Sequence, residues 1–209
     1  MQPMRHNEPV DDSVAKPEPL PADDPEWLAE CPLADGPPVR FRHVRPEDEP
    51  LITAAIRTAS RETLLHRFFS PIRSVAPSQL RAMLDIDRAR ETCIVGLVPT
   101  PAGPRLICGA RYVQLPRPHA AEVAFTVHDD FQRRGLGSFL LQLLARLARA
   151  DGIYWFEADV MNSNRKMLNL FKKLAPDLSR TRRMGDITHL VFETAAVAQA
   201  AGGGSADSR

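Results

Sequence analysis

The clearest chemistry in the chain lies in six consecutive residues, Gln132, Arg133, Arg134, Gly135, Leu136 and Gly137, which end where an apolar helix begins. Two glycines at a strand-to-helix junction let the backbone approach a ligand closely and adopt positive φ. The helix that follows leaves its first N–H groups unpaired, and its dipole favours an anion there. Arg133 and Arg134 add positive charge at the same place, and the combination suits a pyrophosphate. A Gly-x-Gly alone can also be a plain turn. Gln-x-x-Gly-x-Gly after an alternating strand is narrower, and it lacks both the third glycine of a dinucleotide fingerprint and the Lys-Ser/Thr of a nucleoside-triphosphate loop.

Few other residues carry chemistry by type and spacing. Glu122 lies on the strand that leads to the loop, opposite the face of Val123, Phe125 and Val127. It is either a solvent-facing strand residue or a carboxylate lining a cleft. Asn164, beside Asn162 and Ser163, is placed to cap a helix. Cys31, Cys93 and Cys108 form no CxxC pair and no metal-ligand spacing, and such an odd, low count suits a reducing compartment. Cys93 and Cys108 sit in apolar strands with no neighbouring histidine or cation to activate a thiolate. They read as small buried hydrophobes, which argues against covalent catalysis through cysteine. His66, His119 and His128 make no metal set, and His128 reads as a surface-loop residue. Arg67, Phe68 and Phe69 could border an acceptor site, and the two phenylalanines read equally as core.

These residues need elements to hold them. Residues 39–44 read as a strand, and 48–63 as a helix with Leu51, Ile52, Ala55, Ile56 and Ala59 on one face. Residues 64–69 continue irregularly or helically, and 77–85 are helical. Residues 91–98 are β-rich, 99–104 form a turn, and 105–115 and 120–127 are strands. Residues 138–150 make a strong helix with one broad apolar stripe, stopped by Gly152. A strand over 153–160, a helix over 164–174 and a strand over 187–192 complete the order. Several strands before a βαβα run predict an α+β or mixed α/β sheet.

Length and composition set the surroundings. The chain has 209 residues, 27 basic against 26 acidic, and 44% hydrophobic residues. A near-zero net charge gives no support to a nucleic-acid or membrane-surface binder. No apolar run approaches the roughly 18 residues needed to span a bilayer, and 1–25 has no secretory h-region, so the expected place is the cytoplasm. Residues 1–38 hold nine of the nineteen prolines and nine acidic residues, and read as a flexible acidic arm in which Trp27-Leu28 is incidental. Residues 195–209 read as a frayed Ala/Gly/Ser tail.

Residues 39–194 resemble the GNAT superfamily of acyl-CoA N-acyltransferases. An Arg-Pro-Glu-Asp entry to the first helix, the Gln-x-x-Gly-x-Gly loop and an Asn-x-x-Met helix after the next strand carry the likeness. Ser60–Phe69 and Ala121–Val127 are similar to bacterial Pat-type protein lysine acetyltransferases. The resemblance implies a mixed, mostly antiparallel twisted sheet, splayed at the cofactor and flanked by helices. It implies acetyl-CoA as acyl donor, with no metal. Phe125, Thr126 and Val127 would bind the pantetheine arm, Gln132 through Ser138 the pyrophosphate, and Asn164 the opposite wall. It implies Glu122 as general base and a protein lysine as acceptor. A small amine, or cofactor sensing without turnover, are the alternatives. Many relatives carry a tyrosine acid where this chain has Phe171. Nothing in the sequence suggests room for a long acyl chain, and oligomeric state is left open.

Overall fold

The computed structural model describes residues 26–71, 75–176 and 180–199. The greater part of the expected arm, 1–25, and the end of the expected tail, 200–209, lie outside the described residues. One eight-stranded sheet runs through the molecule: β1 (Ala29–Cys31), β2 (Val39–His43), β3 (Glu91–Thr100), β4 (Gly103–Gln114), β5 (Ala120–Val127), β6 (Trp155–Met161), β7 (Arg180–Met184) and β8 (Ile187–Glu193). Its order is β1-β2-β3-β4-β5-β6-β8-β7. Every pair is antiparallel except β5 with β6, so the mixed, mostly antiparallel sheet is as expected.

Six α-helices among the described residues flank it: α1 (Glu49–Thr58), α2 (Arg61–Phe68), α3 (Pro77–Leu84), α4 (Leu136–Ala150), α5 (Arg165–Leu174) and α6 (Thr194–Gln199). On one face, α4 buries Leu140, Leu141, Leu144 and Ala148 against Val123, Phe125, Phe156 and Phe192, and Phe139 stacks on Phe41 at 5.1 Å. On the other face, Leu51, Ile52 and Ala55 of α1 and Leu84 of α3 pack on Val95, Leu97 and Leu106. Strand alternation sends successive side chains to these two layers.

Four expectations change. The helix expected over 48–63 is two helices, because Ala59 is extended and the Ser60 hydroxyl accepts from Thr63 N at 3.1 Å, capping a fresh start. Ala29–Cys31, assigned to the arm, adds strand β1, and Leu28 N donates to Phe41 O at 2.8 Å, so Trp27-Leu28 is structural. The turn expected at 99–104 is a tight hairpin in which Pro99 still pairs with Pro104. Residues 195–199, assigned to the tail, belong to α6, whose Val197 is fully buried. Strand β7 is wholly exposed and, apart from Met184, polar, so it lacks the alternation by which strands are read.

Candidate active site

The site begins where the sheet divides. Strands β5 and β6 share three parallel rungs, ending at Glu122 opposite Glu157. Beyond them β5 stays with β4 as far as Val127, and β6 follows β8 along its whole length. A wedge opens, and the backbone of Val123–Val127 on that side has no strand partner. Unpaired strand groups of this kind require another partner, and an extended amide-bearing arm would supply one.

The loop closes the top of the wedge. Arg133 and Gly135 adopt left-handed backbone, at φ 62° and 82°, which turns the chain directly into α4. The helix starts at Leu136, two residues earlier than its apolar pattern suggested, so the N–H groups of its first turn face the groove formed with α5 and α2. That groove is lined by Phe125, Thr126, Val127, Gln132, Arg133, Gly135, Gly137, Ser138 and Asn164 among others. A Cβ at Gly137 would stand 3.2 Å from Leu170 Cδ2, so a side chain there would intrude between α4 and α5. These features fit an acyl-CoA.

Each sequence-derived residue has a definite place. The Phe125 ring is in the core, edge-on to Phe171 at 6.1 Å, and the residue also lines the groove. Thr126 lies at the groove with its hydroxyl buried and without a partner among the described residues. Gln132 turns back: its amide donates to Val127 O at 3.2 Å and accepts from Lys166 Nζ at 3.2 Å. Arg134 lies over the Phe131 ring at 5.3 Å and borders a shallow basin with Arg133 and Lys166. Leu136 is buried in the core, which leaves its amide as its contribution. Asn164 caps α5, accepting from Met167 N at 3.1 Å, and also lines the groove. The capping residue therefore stands on the groove wall.

Glu122 stands at the apex of the wedge, exposed, on the face away from α4. Its carboxylate makes no hydrogen bond or ion pair among the described residues. Next to it on the same face are Glu157, held by Arg117 at 2.6 Å, and Asp159, which accepts from His189 at 2.7 Å. Arg67 of α2 feels the Glu122 charge. Burial lowers its pKa first, Cys93 opposes that, Arg111 adds to it and Glu122 opposes it.

Several groove residues escaped sequence reasoning: Thr63 and His66 of α2, and Lys166 and Met167 of α5. Arg67, read as a possible border of an acceptor site, also lines the groove from α2. His66 Nε2 reaches Ser163 Oγ at 3.2 Å across the groove. Asp129 ties α2 to the loop, accepting from Ser60 N and Ser60 Oγ, both at 2.8 Å, and from Thr63 Oγ1 at 2.7 Å. Burial pushes the Asp129 pKa up, but these hydrogen bonds together outweigh it and hold it below the usual value. Only the likeness in Ser60–Phe69 hinted at this.

Other readings sort plainly. His128 is not a surface-loop histidine: it is buried, and meets Thr58 Oγ1 at 3.0 Å and Arg105 at 3.3 Å. Burial pushes the Cys93 thiol up to about 11 and Cys108 higher still. Neither is a thiolate at neutral pH. No group of acidic, histidine or cysteine residues among the described residues could hold a metal. No helix among them is long and apolar enough to cross a membrane.

Comparison with known proteins agrees with this geometry. A model of the acetyltransferase (GNAT) family matches residues 58–175, and the chain belongs to that family. It is an acetyl-CoA-dependent N-acyltransferase. It is 30% identical over 138 residues to acetyltransferase PA5475 of Pseudomonas aeruginosa, covering 66% of this chain and 74% of that one. It is 37% identical over 116 residues to acetyltransferase Pat of Mycolicibacterium smegmatis, covering 55% of this chain but only 34% of that longer protein. The GNAT domain of S. lividans PAT superposes with a TM-score of 0.70 at 27% identity, over 79% of this chain and 96% of that domain. YncA from Salmonella typhimurium, solved with acetyl-CoA, shares the fold at a TM-score of 0.58 and 18% identity, over 75% and 94%.

Proposed function

We propose that the chain acetylates a protein lysine side chain, with Glu122 as general base. The observation that carries this reading is the unpartnered Glu122 carboxylate at the apex of the wedge, on the face that α4 leaves open. The resemblance to Pat-type lysine acetyltransferases supports it, and so do the neighbouring carboxylates of Glu157 and Asp159, which suit a cationic acceptor. Acetyl-CoA supplies the acyl group as a thioester.

A lysine with a pKa near 10.4 is neutral in only about one molecule in 2,500 at pH 7. Glu122, directly or through a water, takes the ammonium proton, so that the nitrogen lone pair can attack the carbonyl carbon. The C–N bond forms, the C–S bond breaks, and the nitrogen's remaining surplus proton passes to water or to the departing sulfur, a fairly good leaving group that needs no dedicated acid. The amides of Arg133–Ser138 and the side chains of Arg133, Arg134 and Lys166 hold the phosphates. The backbone of Phe125–Val127 and Asn164 flank the arm.

The test is thiol release and lysine labelling in a cell lysate. Glu122→Gln is expected to lower kcat/KM by about 10²–10⁴-fold with acetyl-CoA affinity unchanged. Release that the lysate does not stimulate, but a free polyamine or amino acid does, would move the acceptor to a small amine.

A further inference from the structure

We propose that the site also takes acyl donors longer than acetyl, seating an unbranched apolar chain of up to about six carbons in a cavity beside the wedge. This rests on the acyltransferase reading and extends it to the donor. A cavity of about 140 Å³ lies beneath α1, α2 and α3, against the sheet row that contains Val95, Gly109 and Thr126. An apolar cavity near 150 Å³ holds a molecule the size of benzene. The walls are aliphatic and aromatic, with Ile52, Ile56, Leu64 and Phe68 among them.

Continuity with the cofactor groove identifies the occupant. Thr63, Arg67 and Thr126 line both spaces. At their junction the Thr126 hydroxyl is buried and unpartnered among the described residues. A buried hydroxyl normally has a hydrogen-bond partner, and an acyl carbonyl followed by an apolar chain would meet first this donor and then the apolar walls. Two cations border the cavity: Arg111 pairs with Glu91 and keeps its buried Nε without a partner among the described residues, and Arg67 lies over the Phe68 ring at 5.4 Å, its charge disfavoured by burial, so the succinyl donor is the competitor the experiment must include.

Gly109 keeps the cavity open. A Cβ built there meets nothing nearer than Ile94 O at 3.5 Å, and its φ is not positive, so a β-branched residue fits the strand and projects into the space.

The experiment measures calorimetric dissociation constants of acetyl-, butyryl-, hexanoyl- and succinyl-CoA for the full chain and for Gly109→Val. Each buried methylene is worth about fourfold, so hexanoyl-CoA is expected to bind at least about tenfold more tightly than acetyl-CoA, with a more negative heat-capacity change. Gly109→Val is expected to abolish that gain while acetyl-CoA affinity stays within about twofold. The inference is overturned if hexanoyl-CoA binds no better than acetyl-CoA, if succinyl-CoA binds best, or if Gly109→Val weakens all donors alike. The chain-length series on the wild type decides even if the variant does not fold. Binding of acetyl-CoA alone would remove this inference and leave the acyltransferase reading intact, whereas binding of no thioester would remove both.

Discussion

At the scale of single residues, Phe171 shows how position and surroundings can separate. It stands where many relatives place a tyrosine acid, but its ring is 2% exposed and packs between Phe125 and Phe192, with centroids at 6.1 and 5.1 Å. A hydroxyl added there would enter the core. Phe171→Tyr is therefore expected to leave kcat unimproved and to cost about 1–3 kcal/mol of stability, through a buried unsatisfied O–H. Steady-state kinetics and denaturant unfolding check the two halves. A rise in kcat would show that the ring reaches the sulfur after all. Glu122 is the reverse case. Type and alternation left it open between surface and cleft, and only the ending of the β5–β6 ladder beside it gives the carboxylate a site to serve.

At the scale of elements, the short helix α2 decides more than its weak sequence pattern suggests. Ser60 begins it, and Asp129 fastens that beginning to the phosphate loop. Ser60→Ala removes the cap to Thr63 N and one of the bonds to Asp129. It is expected to lower stability by about 1 kcal/mol and to raise KM for acetyl-CoA, since Thr63, His66 and Arg67 line the groove from α2. Unchanged KM with lowered stability would mean that the loop stands without this tie. The β3–β4 pair carries a second local constraint. Its register shifts at Gly96, where an added Cβ would clash with Cys108 and stand 2.8 Å from Phe41 Cε1. Fully packed cores resist such additions.

At the scale of the whole molecule, burial leaves a signature in pH. The Cys93 thiol moves from 9.0 to about 11 by burial, against the charges of Arg111 and Arg67. Cys108 and Tyr112 are also raised, both first by burial, and Tyr112 also by its hydrogen bond to Asp151. Groups with raised folded pKa values hold their protons more tightly folded than unfolded. Their contribution is complete below the unfolded value and is lost as pH climbs through the folded one. The melting temperature is expected to be level up to about pH 9 and to fall between about 9 and 11, with Cys93→Ala shallowing the fall. A profile unaffected by that variant would place the titration elsewhere.

The sequence by itself determined the parts whose signals are local. The loop before α4 is legible because its glycines, arginines and helix start are contiguous in the chain. The apolar stripe of α4 and the alternation of β5 are legible because each element repeats its own period. Tertiary structure alone decided what depends on residues distant in the chain. The wedge exists because β6 stays with β8 along its whole length but leaves β5 after three rungs, and those rungs join residues more than thirty apart in sequence. The Asp129 tie joins residues 69 and 66 apart. The cavity beneath α1, α2 and α3 is bounded by those helices and by the missing side chain of Gly109, and no local pattern encodes a space between elements.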